Sequence, residues 1–258
     1  MIFKFSDLFA GIGGMRLGFE SIGGECVLTC ENNASALNTY NTNFKNNISS
    51  HIFHKDITTL VDDNKSIPKH DILLAGFPCQ PYSIAGLRKG LSDNRGGDVF
   101  TAILKILNVS KPNAFLLENV KNMKSHDNGK TLEYMMHELE NCGYHVTYKV
   151  LNSMEYANIP QNRERLFLVG YREKKQLEDF NFPPKIKLTK TIHDCLEQRV
   201  VNQEFYYNER YGMYSTIKSV IKSYETIYQW RRVYARENKN KVCPTLTANM
   251  GSGGHNVP

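Results

Sequence analysis

The first two dozen residues constrain the fold more than any other stretch. Residues 2–9 form a short apolar run that passes without a linker into Ala10-Gly11-Ile12-Gly13-Gly14. A helical pattern follows, carried by Met15, Leu17, Phe19 and Ile22, and Gly23-Gly24 stops it. A strand, a glycine turn and a helix N-terminus in that order let the backbone approach a ligand closely and aim unpaired N–H groups at it. The turn is not a Gly-x-Gly-x-x-Gly fingerprint, because Arg16 holds the place of the third glycine. Glu31 closes the next apolar run about 20 residues on, where a carboxylate accepts hydrogen bonds from ribose hydroxyls. These residues favour a nucleoside-bearing cofactor over a pyrophosphate, with a purely structural turn as the alternative.

The rest of residues 1–172 alternates in the same way. Residues 34–44 have a helical pattern, and 52–53 form a brief strand that closes on Lys55-Asp56-Ile57. Residues 71–76 read as a buried strand. Helices are expected at 99–107 and 131–139, and strands at 114–117, 144–151 and 165–170. Such alternation predicts an α/β layered sheet, mostly parallel, with right-handed crossovers. Between 77 and 97 lies a segment with little apolar periodicity, and a loop that long inside a compact domain is usually functional or mobile. A composition break at 180–184 places a boundary near 175, giving a catalytic domain over 1–175 and a smaller one over 176–258. A chain of 258 residues accommodates both.

Composition narrows the functional classes. With 41% hydrophobic residues the chain is not intrinsically disordered over most of its length. No apolar run reaches the roughly 18 residues of a membrane span. The N-terminus carries Asp7 early and has no long apolar region, so a secretion signal is not expected and the cytoplasm is. The six cysteines are then expected to be reduced. Cys26 and Cys30 lack zinc-ligand companions and read as small residues of a buried strand; no metal is expected. The formal charge of +6 is uneven. Residues 1–172 hold 18 Lys and Arg against 17 Asp and Glu, whereas residues 173–258 hold 14 against 9. A basic C-terminal third suits an anionic partner, nucleic acid first, although a solvated basic face gives the same count.

Three further clusters carry chemistry. Gly76-Phe77-Pro78-Cys79-Gln80-Pro81-Tyr82-Ser83 follows a buried strand, at the edge where open α/β sheets place active sites. Most lone cysteines are inert packing, but one clamped between prolines ahead of a polar loop is a candidate nucleophile. Leu117-Glu118-Asn119-Val120 ends the next strand. Glu118 is either a helix cap or an acid whose burial favours its neutral form, able to donate to a ring nitrogen. Gln161-Asn162-Arg163-Glu164-Arg165 places two arginines two apart on one strand face, one to grip a carbonyl or phosphate and one to brace a carboxylate. An edge salt bridge is the plain alternative.

In this order and spacing these blocks resemble the DNA (cytosine-5)-methyltransferase family, over residues 3 to 172 and again at Cys243-Pro244-Thr245-Leu246-Thr247-Ala248. The resemblance implies a Rossmann-like catalytic domain, a smaller target-recognition domain, S-adenosyl-L-methionine as cofactor and double-stranded DNA as partner. It implies that Cys79 attacks C6 of a flipped-out cytosine, that Glu118 engages N3 and the exocyclic amine, that Arg165 holds O2, and that Arg163 neighbours it. It places Phe9, Gly11, Ile12, Gly13, Pro78 and Val99 around the cofactor, Glu31 and Asn32 at the ribose, and Asp56 and Ile57 at the adenine. Val99 aligns across one extra loop residue.

An extruded base suits the chemistry, since C5 of a stacked cytosine is out of reach. Gln80, Ser83, Arg88, Lys89 and Arg95 are then candidate DNA contacts on the 80–97 loop. Arg231, Arg232 and Arg236, interleaved with Tyr228, Trp230 and Tyr234, are candidates in the C-terminal third. The sequence departs from the family in lacking a final block, so a truncated product or a split enzyme completed by a second polypeptide is expected, with weak activity of this chain alone. An RNA-directed relative and a catalytically silent DNA-binding fragment are the competing readings. Arg16 and the Cys/Glu/Arg set disfavour a nicotinamide oxidoreductase.

Overall fold

The computed structural model describes residues 2–44, 51–62, 67–78, 99–231, 233–238 and 241–247. The chain divides into two units. The first comprises residues 1–150 and 165–182, the second residues 151–164 and 183–258. The division therefore departs from a single cut near 175. Residues 151–164 group with the second unit, and the later boundary falls at 182, beside the apolar Phe180 and Phe182, whose rings pack at 5.0 Å.

The first unit carries a seven-stranded sheet in the order β3-β2-β1-β4-β5-β8-β6. Its strands are β1 (Phe3–Leu8), β2 (Gly24–Cys30), β3 (Ile52–His54), β4 (Ile72–Gly76), β5 (Ala114–Val120), β6 (His145–Asn152) and β8 (Glu164–Tyr171). Helices α1 (Gly14–Glu20), α2 (Ala34–Asn43), α3 (Ile57–Asp62), α4 (Val99–Ser110) and α5 (Lys130–Asn141) alternate with them. Strands β3, β2, β1, β4 and β5 are parallel to their neighbours, while β8 runs antiparallel to β5. A parallel strand needs a crossover of a dozen or more residues. Only the four-residue α6 (Ser153–Tyr156) and the two-residue β7 (Gln161–Asn162) lie between β6 and β8.

Hydrophobic pattern explains the layering. Leu73, Leu74 and Ala75 of β4 are fully buried, the near-continuous apolar run of a strand covered on both faces. Phe100, Ile103, Leu104, Ile106 and Leu107 line the buried stripe of α4 at helical spacing. Each such side chain contributes about 1.5–3 kcal/mol by leaving water. Cys26 and Cys30 are buried on β2, and burial pushes their thiols up to about 11 and about 12. They pack as small apolar residues. Among the described residues no helix is long and apolar enough to cross a membrane, and no three His, Cys, Asp or Glu cluster as metal ligands.

In the second unit, the sequence beyond 183 has weak periodicity, yet it forms the antiparallel pair β9 (Tyr228–Arg231) and β10 (Tyr234–Glu237). Helices α7 (Lys174–Asp179), in the first unit, and α8 (Tyr214–Val220), in the second, are short and bury no residue. Strand β11 (Cys243–Pro244) pairs in parallel with β7, matching Cys243 to Gln161.

Candidate active site

The chain leaves β1 for β2 and β3 on one side, then returns to β4 and β5 on the other. The switch point lies between β1 and β4, and clefts open at the C-terminal ends of strands there. Phe9, Gly11, Glu31, Pro78 and Glu118 sit at or just beyond the C-terminal ends of β1, β2, β4 and β5.

At the end of β1, Phe9 and Gly11 adopt φ 55 and φ 56, and Gly13 adopts φ 89. Left-handed backbone is uncommon for a phenylalanine, and such outliers cluster at functional sites. The turn is closed by Gly13 N–H donating to the Ala10 carbonyl at 2.8 Å. Among the described residues, apart from its chain neighbours, none has an atom within 4 Å of where a Cβ on Gly11 would stand, so the turn faces open space there. Ile12 is 59% exposed beside it. At the end of β2 the buried Glu31 carboxylate accepts from Gly11 N–H at 2.8 Å through Oε2 and from Asn33 N–H at 2.7 Å through Oε1. Asn32 between them is exposed.

After β3, Asp56 accepts from the Thr58 N–H and hydroxyl, both at 2.8 Å, and these bonds hold its carboxyl below the usual carboxylate range. It thus caps α3, and Ile57 is buried in the core. Val99 begins α4, packed against that core.

The catalytic candidates converge at β4 and β5. Gly76 pairs with Glu118 across the two strands. A Cβ on Gly76 would stand 3.7 Å from Glu118 Oε2 and 3.9 Å from the Phe9 carbonyl oxygen, which places the acid and the turn beside Gly76, and it would crowd Met15 Cε at 3.2 Å. Arg165 Nε lies 2.9 Å from Glu118 Oε1, with both side chains largely buried. The acid expected to sit alone behind a hydrophobic strand thus has a guanidinium partner. Burial alone favours the protonated form, but a guanidinium at hydrogen-bond distance stabilises the carboxylate. Nor is Glu118 a cap: the next helical turn is capped by Val120, with no side-chain bond.

Arg163 is not in the strand with Arg165. It precedes β8, and its Nη1 donates to the Leu246 carbonyl at 3.4 Å, inside the second unit. Pro78 follows the buried Phe77 at the surface. Cys79, Gln80, Ser83, Arg88, Lys89, Arg95 and Arg232 lie outside the described residues.

Two positioning groups escaped the sequence reading. Asn119, 2% exposed, donates from Nδ2 to the Phe77 carbonyl at 3.1 Å and so ties β5 to the Phe77-Pro78 step that leads into Cys79. The Glu-Asn-Val motif pointed to it without a role. Asp7 on β1 is 1% exposed, accepts from the Arg16 backbone N–H, and has an Oδ2 with no hydrogen-bond partner among the described residues. Only its place just ahead of the glycine turn hinted at it.

In the second unit, Arg231 and Arg236 line a cleft of about 650 Å³ with Gln229, Asn238, Thr245 and Thr247. Arg236 Nη2 donates to Gln229 Oε1 at 3.2 Å, and the buried Asn238 Nδ2 has no hydrogen-bond partner among the described residues.

A mostly parallel sheet with a glycine turn and a buried acid beside its switch point defines a Rossmann-like α/β fold. Comparison with known proteins narrows this. The family model of the C-5 cytosine-specific DNA methylases matches residues 3–257. Type II methyltransferase M.Bsp6I of Bacillus sp. (strain RFL6) is 46% identical over 99% of this chain and 80% of its own length. Type II methyltransferase M.HhaI of Haemophilus parahaemolyticus is 42% identical over 75% of this chain, which spans 56% of that relative. Among solved structures, the Dnmt2 methyltransferase of S. pombe superposes with TM-score 0.58 at 23% identity, covering 81% of this chain and 64% of that one. The chain belongs to the C-5 cytosine-specific DNA methylase family.

Proposed function

We propose that this chain transfers a methyl group from S-adenosyl-L-methionine to C5 of a flipped-out cytosine in a specific duplex site, as the modification enzyme of a restriction–modification system. The observation that carries the reading is the Glu118–Arg165 pair at the end of β5, beside Gly76 and the Phe9 turn, on the edge where β4 leads to Cys79. The first unit is then the catalytic domain and the second the target-recognition domain.

The residues present suit the cofactor. The open face at Gly11 and the exposed Ile12 lie on one turn, the Glu31 carboxylate meets that turn at the Gly11 N–H, and each Glu31 oxygen that accepts one backbone N–H has a second lone pair for a ribose hydroxyl. Asn32, Asp56, Ile57, Pro78 and Val99 complete the candidate cofactor set. When bound, the cofactor supplies an electrophilic methyl group on a sulfonium. The Cys79 thiolate adds to C6 of the base and makes C5 nucleophilic. Arg165 holds O2, with Arg163 as its neighbour in the family arrangement, and Glu118 holds the N3 and amine edge. After C5 takes the methyl group, loss of the C5 proton expels the thiolate. Arg231, Arg232 and Arg236, with Gln80, Ser83, Arg88, Lys89 and Arg95, make the DNA contacts in this reading.

The test uses duplex oligonucleotides of randomised context carrying 5-fluorocytosine, incubated with the chain and S-adenosylmethionine. Fluorine at C5 cannot leave as the proton does, so a denaturation-resistant complex is expected with the wild-type chain. With Cys79→Ala the complex is expected to vanish while DNA affinity is kept. Absence of the complex from wild type, or its persistence without Cys79, refutes the mechanism. Methyl transfer to tRNA but not to duplex DNA would reassign the substrate.

A further inference from the structure

Arg16 stands where a dinucleotide turn would have its third glycine, and its side chain is only 6% exposed. Nε pairs with Glu20 one helical turn on, at 2.6 Å. Nη1 donates to the Tyr40 hydroxyl at 2.9 Å, and the guanidinium carbon lies 4.4 Å from the centre of the Phe44 ring. The Tyr40 and Phe44 rings are 4.7 Å apart. Phe44 in turn abuts the glycine turn, since a Cβ on Gly13 would overlap its ring. Tyr40 is itself held from β2, its hydroxyl 2.7 Å from Thr29 Oγ1.

Helix α2 is thereby tied to the turn at both ends. Glu31, just ahead of α2, takes the Gly11 N–H and the Asn33 N–H. Phe44, just after it, presses on Gly13. A buried cation is costly unless it is paired and stacked; here Glu20 on the same helix pairs it, and the contacts to Tyr40 and Phe44 hold one ring of α2 and the ring just after it against α1. Packing alone would be met by an apolar side chain, which could not bind the Tyr40 hydroxyl and stack on Phe44 together.

We propose that Arg16 is a positioning residue for cofactor binding: with Tyr40 it clamps Phe44 against Gly13 and so sets the distance between the Gly11–Gly13 turn and the Glu31 carboxylate. The inference rests on the cofactor reading above. Lysine in place of Arg16 keeps the charge and the reach to Glu20 but loses the planar stack and the fork to Tyr40.

The test uses the whole 258-residue chain and the variants Arg16→Lys, Phe44→Leu, Tyr40→Phe and the Arg16→Lys/Phe44→Leu double. Affinity for S-adenosylmethionine and S-adenosylhomocysteine is measured by calorimetry, KM and kcat by methyl transfer, and amide exchange at Gly11 and Gly13 on the protein alone. Arg16→Lys and Phe44→Leu are each expected to weaken cofactor binding about tenfold. KM for the cofactor rises with them, while kcat at saturation and DNA affinity hold. The double variant is expected to be no weaker than the worse single, because both act through one contact. The Gly11 and Gly13 amides exchange faster in each. Should Arg16→Lys not fold, Phe44→Leu and Tyr40→Phe carry the same expectation. Cofactor affinity unchanged in the folded variants, additive losses in the double, or a loss confined to melting temperature and kcat overturns the proposal. If the wild type binds no S-adenosylmethionine while the amides respond as expected, the cofactor reading fails and the clamp on the turn stands.

Discussion

Asp7 offers the sharpest test of how the sheet supports the glycine turn. It lies on β1 at 1% exposure, and burial lifts its carboxyl from 3.8 to about 7, partly offset by the Arg16 charge and the Arg16 N–H. Glu31 and Glu20 also face it and add to the rise. A carboxyl whose pKa is higher in the folded than in the unfolded chain binds its proton more tightly when folded. Its contribution to stability is therefore full below about pH 4 and is lost as pH climbs to about 7. The loss is about 1.4 kcal/mol per pH unit over some three units, or about 4 kcal/mol in total. Asp7→Asn has nearly the same shape, can still accept from the Arg16 N–H, and cannot ionise. Relative to wild type, its stability is expected to improve by about 4 kcal/mol between pH 4 and pH 8. Urea unfolding of both proteins at unit pH steps measures this directly, since all other titrating groups are shared. Parallel stability curves would refute the argument, and so would a variant that loses ground against wild type as pH rises.

Other expectations follow from single contacts. Glu118→Gln is expected to lower kcat by about a hundredfold or more while cofactor affinity is kept, as read by single-turnover methyl transfer. Asn119→Ala removes the bond to the Phe77 carbonyl and leaves that oxygen buried, at a cost of about 1–3 kcal/mol in thermal or urea unfolding. Covalent trapping on 5-fluorocytosine DNA should slow with it, because the segment into Cys79 loses its anchor. Replacing Arg231 and Arg236 together with alanine should weaken duplex binding and lower the slope of log affinity against log salt by about 2. An unchanged slope would move the DNA surface away from the β9–β10 cleft.

Local signals made most of the first unit legible. Apolar runs of strand length, helical spacing in α4 and α5, and glycines at the end of α1 act over a few residues, so they read the same before and after folding. The same holds for Glu31, placed by counting from the turn. Other features resisted for one reason. The weakly periodic β9–β10 pair depends on partners across the strand, and local periodicity does not report those. Arg163 and Arg165 read as equivalent, yet one reaches Leu246 and the other Glu118. Residues 151–164 read as part of the first unit, but pairing of Gln161 with Cys243 across 82 positions joins them to the second.

By itself the sequence determined an α/β layered sheet, a glycine turn ahead of the first helix, a carboxylate closing the second strand, and the order of the Cys79, Glu118 and Arg165 blocks. Each of these depends on backbone preference or on the two-fold and 3.6-fold periods, which are properties of neighbouring residues. Only the tertiary structure decided the pairing of Glu118 with Arg165, the elevated carboxyl of Asp7 and the partners of Arg16. Those follow from burial and from partners far apart in the chain. Solvent exclusion and a charge at hydrogen-bond distance set the protonation of a group, and neither exists until the strands and helices that supply them have packed.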